Sequence, residues 1–115
     1  MISKNYCSAY GRGSARLVRD NQGRTFVLLT YSEGHGTRAT VDYVGVEELV
    51  GNVLRQRGRL LKSEPIGIEA DLVFDLSIEP LPKGGISISG ASHVVGKLQQ
   101  GEVAPERQTV SLTVV

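Results

Sequence analysis

Four carboxylates alternate with apolar residues in the segment IGIEADLVFDLSIEP, residues 66–80. They are Glu69, Asp71, Asp75 and Glu79, and the segment contains no lysine or arginine. Because same-face neighbours on a strand lie about 6.6 Å apart, Glu69 and Asp71 could share a hard cation such as Mg²⁺ or act as an acid–base pair. Calcium needs about six to eight oxygen ligands, and no glycine-containing acidic loop supplies them. We therefore interpret the row as a solvated sheet face or a surface for a basic protein partner, and we expect no metal and no cofactor.

The two histidines offer acid–base chemistry without a recognisable catalytic arrangement. His35 lies between glycines in SEGHGT, where a mobile loop could bring it to a ligand. No second histidine, cysteine or orienting acid is fixed beside it, so a hairpin loop that contains a histidine is the preferred interpretation. Ser89, His93 and Asp71 would lie close together if Ile78 faced Ile86 across a hairpin, but no nucleophile-elbow motif accompanies them. We expect no catalytic residue and no enzymatic activity.

A second charged group is basic. Arg55, Arg57, Arg59 and Lys62 lie close together in the chain, and such cations could contact the phosphates of a nucleic acid. Only six aromatic residues and no tryptophan are present, which leaves few platforms for stacking on bases. Nucleic-acid binding is therefore the alternative function and not the first.

The elements that position these residues are mostly strands. Short alternating or apolar segments predict strands at residues 14–20, 24–31, 38–44, 66–80, 86–95 and 109–115. Residues 24–31 are apolar on both faces, which indicates a central strand covered on both sides. Pro80 is expected to end its strand, and the LPKGG turn leads into the next one.

One segment has a different period. Val46, Leu49, Val50, Val53 and Leu54 follow the spacing of an amphipathic helix. Glu47 and Glu48 would lie in its first turn, with Arg55 and Arg57 in its last, as the helix dipole favours. Gly58 is the expected C-cap. The predicted fold is therefore α+β and mostly β: a largely antiparallel, curved sheet in the order β-β-β-α-β-β-β with one helix packed on it.

Composition limits the class of protein. A chain of 115 residues fits a single domain, spanning residues 1–115 with residues 1–13 as a flexible segment. The chain has one cysteine, no apolar run long enough for a membrane span and no signal-peptide pattern, so we expect a cytoplasmic protein. Residues 1–62 have a net charge of +5 and residues 63–115 a net charge of −4, which produces either a bipolar surface or charge pairs between the halves.

These features predict a non-enzymatic protein–protein interaction module, of the kind that serves as a bacterial inhibitor, immunity-type or assembly protein. The acidic face of residues 66–80 would be the surface for a basic partner. The apolar C-terminal segment VSLTVV is expected to be an edge strand that pairs with a second copy, giving a homodimer. A ligand pocket inside a curled sheet is a third possibility that the sequence leaves open.

Overall fold

The computed structural model describes residues 14–34 and 40–115. The strands are β1 Ser14–Arg19, β2 Thr25–Gly34, β3 Thr40–Val50, β4 Val53–Pro65, β5 Glu69–Pro80, β6 Ile86–Lys97 and β7 Thr109–Val114. They form one seven-stranded sheet in which each strand pairs antiparallel with the next, so the spatial order is the order in the chain. The described residues contain no helix. The predicted antiparallel sheet is confirmed, and the predicted α+β class is wrong.

The strands follow from the alternation of side chains. In β5, Ala70, Leu72 and Phe74 are buried, and the acidic residues between them are exposed, as expected for a strand with one face on the core. In β2, Phe26 and Val27 are both fully buried. Adjacent residues of a strand point to opposite faces, so β2 is covered on both sides, as predicted.

The sheet folds over on itself around a shared core. The buried cluster combines residues from strands that are not neighbours in the sheet: Phe26, Leu28, Val44, Val46, Leu60, Ile86, Ile88 and Val114. Strands β1–β4 therefore form one layer, and β5–β7 form a second layer packed against it. The β7 residue Leu112 also packs on Gly58 of β4 at 3.1 Å from where a Cβ atom would lie.

The predicted helix is absent because its residues form a hairpin. Val50 pairs with Val53 across the Gly51–Asn52 turn, and Gly51 has a φ of +62°. A positive φ at only the first central residue is typical of a type II′ hairpin turn. The valines of this region favour strands because they are β-branched. Glu48 and Arg55 are cross-strand partners, so the charges that suggested a helix dipole instead face each other across the hairpin.

The register of the β5–β6 hairpin differs by two residues from the predicted one. Ile78 faces Ile88, whereas Ile86 was its expected partner. Leu76 faces Gly90, whereas Ile88 was its expected partner. The reason lies in the turn: Pro80 pairs with Ile86, so the loop is confined to the LPKGG segment, whereas pairing of Ile78 with Ile86 would have placed Glu79 and Pro80 in the loop as well. A shift of two keeps every residue on its predicted face but changes its partner. His93 now lies opposite Val73, not Asp71, and the expected grouping of Ser89, His93 and Asp71 is not formed.

A polar cluster joins the two layers at one end. The Asp20 side chain, which is 0% exposed, accepts hydrogen bonds from the Gly85 amide at 2.6 Å and from Arg24 Nε at 2.9 Å. Arg57 forms an ion pair with Glu48 and donates to the Val115 carbonyl at 2.8 Å. These contacts hold the β1–β2 turn and β4 against the β5–β6 turn and the C-terminal end of β7.

Candidate protein-binding surface

The acidic residues lie on the outer face of β5, as predicted. Glu69, Asp71, Asp75 and Glu79 are all exposed. Asp75 Oδ2 lies 2.8 Å from His93 Nδ1, Gln99 donates to Glu69 at 3.0 Å, and Lys97 faces Glu69 across the hairpin. Of these four carboxylates, only that of Asp75 has a salt-bridge contact within the described residues, and its partner is His93.

The two halves of the chain do not neutralise each other within the described residues. Every Lys or Arg ion pair found there lies in the first half: Arg24 with Asp20 and Glu48, Arg57 with Glu48, and Arg59 with Glu33. The second half contains only the His93–Asp75 contact. No Lys or Arg ion pair therefore links the two layers within the described residues, and β5 presents its carboxylates to solvent.

The basic cluster lies on β4, not at a helix end, and much of it is engaged within the protein. Arg59 stacks over the Tyr43 ring at 4.0 Å and bonds to Glu33 at 2.8 Å. Hydrogen bonds from its guanidinium to Tyr31 and Glu33 raise the pKa of Arg59 above its usual value. Arg57 is paired with Glu48, as above. Arg55 is exposed, and Lys62 lines a cleft between the layers. Two of the four cations, Arg57 and Arg59, are therefore engaged in ion pairs within the protein, and the nucleic-acid alternative stays a prediction.

Strand β5 has an open backbone edge along much of its length. It pairs with β4 only through Asp71, Leu72 and Val73, whereas it pairs with β6 over its entire length. Among the described strands, residues 74–80 therefore have a partner on one side only. In a strand, alternate residues direct their N–H and C=O groups to alternate edges, so about half of these residues present unpaired main-chain groups.

A cleft of about 410 Å³ runs beside this edge. One wall is the second layer, with Val73, Phe74, Asp75, Leu76, Ile78 and Ile88, and the other is the first layer, with Ser14, Arg16, Leu28, Thr30, Val44 and Lys62. The aliphatic and aromatic side chains continue the core, and Arg16 and Lys62 supply positive charge on the wall opposite β5.

The sequence predicted the strand and its acids but not its free edge or the cleft. Those depend on which strands become neighbours in space, and alternation within a strand does not contain that information. One signal was available: proline cannot donate to a ladder and is found mainly at sheet edges. Pro80 ends β5 at the far end of its open edge.

Other candidate residues have clear positions. β7 is an edge strand, as predicted, and its pairing with a second copy stays a prediction. His35 lies outside the described residues.

Across residues 14–34 and 40–115, no three His, Cys, Asp or Glu side chains come together in a group that could hold a metal ion. No helix in these ranges is long and apolar enough to cross a membrane.

Comparison of the chain with protein-family models, with curated proteins and with solved structures finds no match. The fold and the surface chemistry described above are therefore the basis for assigning a function.

Proposed function

We propose that this protein is a non-enzymatic protein-binding module and that the acidic outer face of β5 is its contact surface for a basic partner. The observation that carries the proposal is the row of exposed carboxylates on β5, none of which forms an ion pair with a described lysine or arginine. The carboxylates of β5 are exposed, and the Lys and Arg ion pairs of the described residues form within the other half of the chain. Complementary charge accelerates encounter with a partner and excludes partners of like charge.

The test is affinity capture from nuclease-treated lysate of the source cells with two variants that change the net charge equally. Asp71→Asn with Glu79→Gln neutralises two carboxylates of the face, and Glu106→Lys makes the same change in net charge at an exposed residue of the β6–β7 loop. We expect wild type and Glu106→Lys to enrich the same basic protein. The double variant should bind it about tenfold more weakly, because each cross-surface charge pair contributes roughly 0.2–1 kcal/mol.

Two outcomes would contradict the proposal. One is equal capture by the double variant and by Glu106→Lys, because the carboxylates would then have no part in recognition. The other is capture of nucleic acid from untreated lysate that is lost on Arg55→Glu, which would favour the alternative function. Thermal unfolding of each variant shows whether the fold is retained.

A further inference from the structure

The open edge of β5 has the features of a strand-addition site. A peptide strand that adds to a sheet edge is held by main-chain hydrogen bonds, and its side chains give specificity on two alternating faces. Residues 74–80 pair with β6 and with no other described strand. At about 3.3 Å per residue, this edge is roughly 23 Å long, which accommodates a peptide of about seven residues.

We propose that this edge binds an extended segment of the partner in which apolar residues alternate with lysine or arginine. This inference rests on the proposed function and specifies the partner segment that the same surface recognises. The segment would become an additional strand beside β5, with its apolar side chains in the cleft and its basic side chains on the acidic outer face.

The apolar half of this pattern follows from the cleft. Phe74, Leu76 and Ile78 point to the inner face of β5 and line the cleft together with Ile88. Side chains of an added strand that share this face would be buried against them. The opposite wall contains Arg16 and Lys62, so a basic side chain directed inward would meet like charge. The aliphatic and aromatic lining of the cleft therefore favours apolar residues at the inward positions of the segment.

The basic half follows from the outer face. Residues opposite Asp75 and Glu79 on an added strand would be cross-strand neighbours of exposed carboxylates, and opposite charges in such positions stabilise pairing. The same carboxylates disfavour pairing of β5 with β5 of another copy, because like charges would lie beside each other at the new junction. Charged side chains are a common protection of edge strands against self-association.

The cleft volume alone would also suit a small molecule, since such pockets measure about 300–1,000 Å³. The feature that favours a peptide over a small molecule is the open backbone edge of β5. Unpaired main-chain donors and acceptors alternate along β5 at the repeat of a strand, and an extended chain satisfies all of them, whereas a compact ligand reaches only a few.

The experiment is a nuclear magnetic resonance titration of the full-length chain with the blocked peptide Lys-Val-Lys-Val-Lys-Val-Lys. A second peptide has the same sequence with alternate amide nitrogens methylated, which removes donors and leaves charge unchanged. We expect the first peptide to shift and protect amides within residues 74–79, and the methylated peptide to bind at least about tenfold more weakly because its hydrogen bonds to β5 are lost.

Two protein variants test whether peptide binding depends on the carboxylates beside the open edge or on the acidic face as a whole. The first variant, Asp75→Lys with Glu79→Lys, reverses the charge beside the open edge. The second variant, Glu69→Lys with Asp71→Lys, reverses the charge at the other end of β5, where the strand meets β4. The first variant should bind the lysine peptide about tenfold more weakly and should bind Glu-Val-Glu-Val-Glu-Val-Glu instead. The second variant should retain most of the affinity.

Equal binding of the methylated peptide, equal loss in both protein variants, or no binding of the lysine peptide would overturn the strand-addition site. If partner capture nevertheless depends on Asp71 and Glu79, the proposed function stands and only the binding mode is wrong. If capture is independent of both, the proposed function itself fails. Amide spectra of the free variants show that each is folded.

Discussion

At the scale of single residues, Asp20 connects the two layers. Its Oδ1 accepts hydrogen bonds from the backbone amides of Gln22 and Arg24, at 2.9 and 2.8 Å, and its Oδ2 accepts from Gly85 across the layers. Burial of the carboxyl raises its pKa, but the hydrogen bonds from Gly85, Arg24 and Gln22 outweigh this effect and lower the pKa of Asp20 from 3.8 to about 2. The hydrogen bonds of the native state thus stabilise the ionised form of Asp20.

This pKa predicts how stability responds to acid. Because the native pKa is lower than the unfolded one, the contribution of Asp20 is complete above about pH 4. It is lost as the pH falls toward 2. In urea unfolding at a series of pH values, Asp20→Asn should be less stable than wild type at pH 6, and the difference should shrink between about pH 4 and pH 2.

Glu106→Gln, which removes one exposed carboxyl, is the control for the change in net charge. A difference between wild type and Asp20→Asn that is constant over the acid range would contradict the stabilising role of this carboxylate.

The same turn shows what the sequence could indicate about single residues. Asn21 and Gly23 in DNQGR are residue types that favour a tight hairpin turn, and the turn is present, with Gly23 at a φ of +79°. The role of Asp20 was not predictable, because Gly85 lies far away in the chain and becomes its partner only when the layers pack. Gly85 has a φ of +92°, and an added Cβ would collide with the Val114 carbonyl, so this approach requires glycine.

At the scale of elements, the β3–β4 hairpin is where the prediction from sequence was wrong, because a helix was expected there. Val46, Leu49, Val50, Val53 and Leu54 fit a helical stripe, but they also fit two strands joined by a two-residue turn. Periodicity over a short segment does not distinguish these. The Gly51–Asn52 pair between β-branched residues was the local signal for a hairpin. The long strands with clear alternation, such as β5 and β6, were predicted correctly because a single period extends over each of them.

The substitution Gly51→Ala is expected to change stability in opposite directions in a helix and in a hairpin. In a helix interior, Gly51→Ala would stabilise the protein by about 1 kcal/mol. In the hairpin, Gly51 has a φ of +62°, and no atom lies within 4 Å of the position that a Cβ would take. The substitution should therefore destabilise by about 1–2 kcal/mol through backbone conformation alone. Urea unfolding measures the sign directly.

Asn52→Ala is the matched control in the same turn, because Asn52 has no positive φ and its substitution should cost less than about 0.5 kcal/mol. A stabilising effect of Gly51→Ala would contradict the hairpin.

At the scale of the whole molecule, the fold places the acidic strand where it is accessible on a face and along an edge. The sequence predicted the alternation that exposes Glu69, Asp71, Asp75 and Glu79, and the charge asymmetry between the halves of the chain. It left open whether the halves would neutralise each other. The layered packing answers this for the described residues, since their Lys and Arg ion pairs remain within the first half.

The edge itself is a property of the assembled sheet. β4 and β5 are neighbours in the chain and would be expected to pair along their length, as β5 and β6 do. They instead pair for three residues and then diverge, because the sheet folds over at this point to bury the two apolar faces against each other. Burial of those faces provides the main stabilisation of the fold, and the exposed edge of β5 is its consequence.

Amide hydrogen exchange of the free protein, resolved by residue, tests the accessible edge of β5 most directly. Residues 86–91 of β6 are paired on both sides and serve as the internal reference. An open edge predicts slow exchange throughout that reference and alternating slow and fast exchange across residues 74–79, with the fast amides becoming slow when the lysine–valine peptide is added. Uniformly slow exchange across residues 74–79 in the free protein would show that the edge is already covered, and it would contradict the strand-addition site.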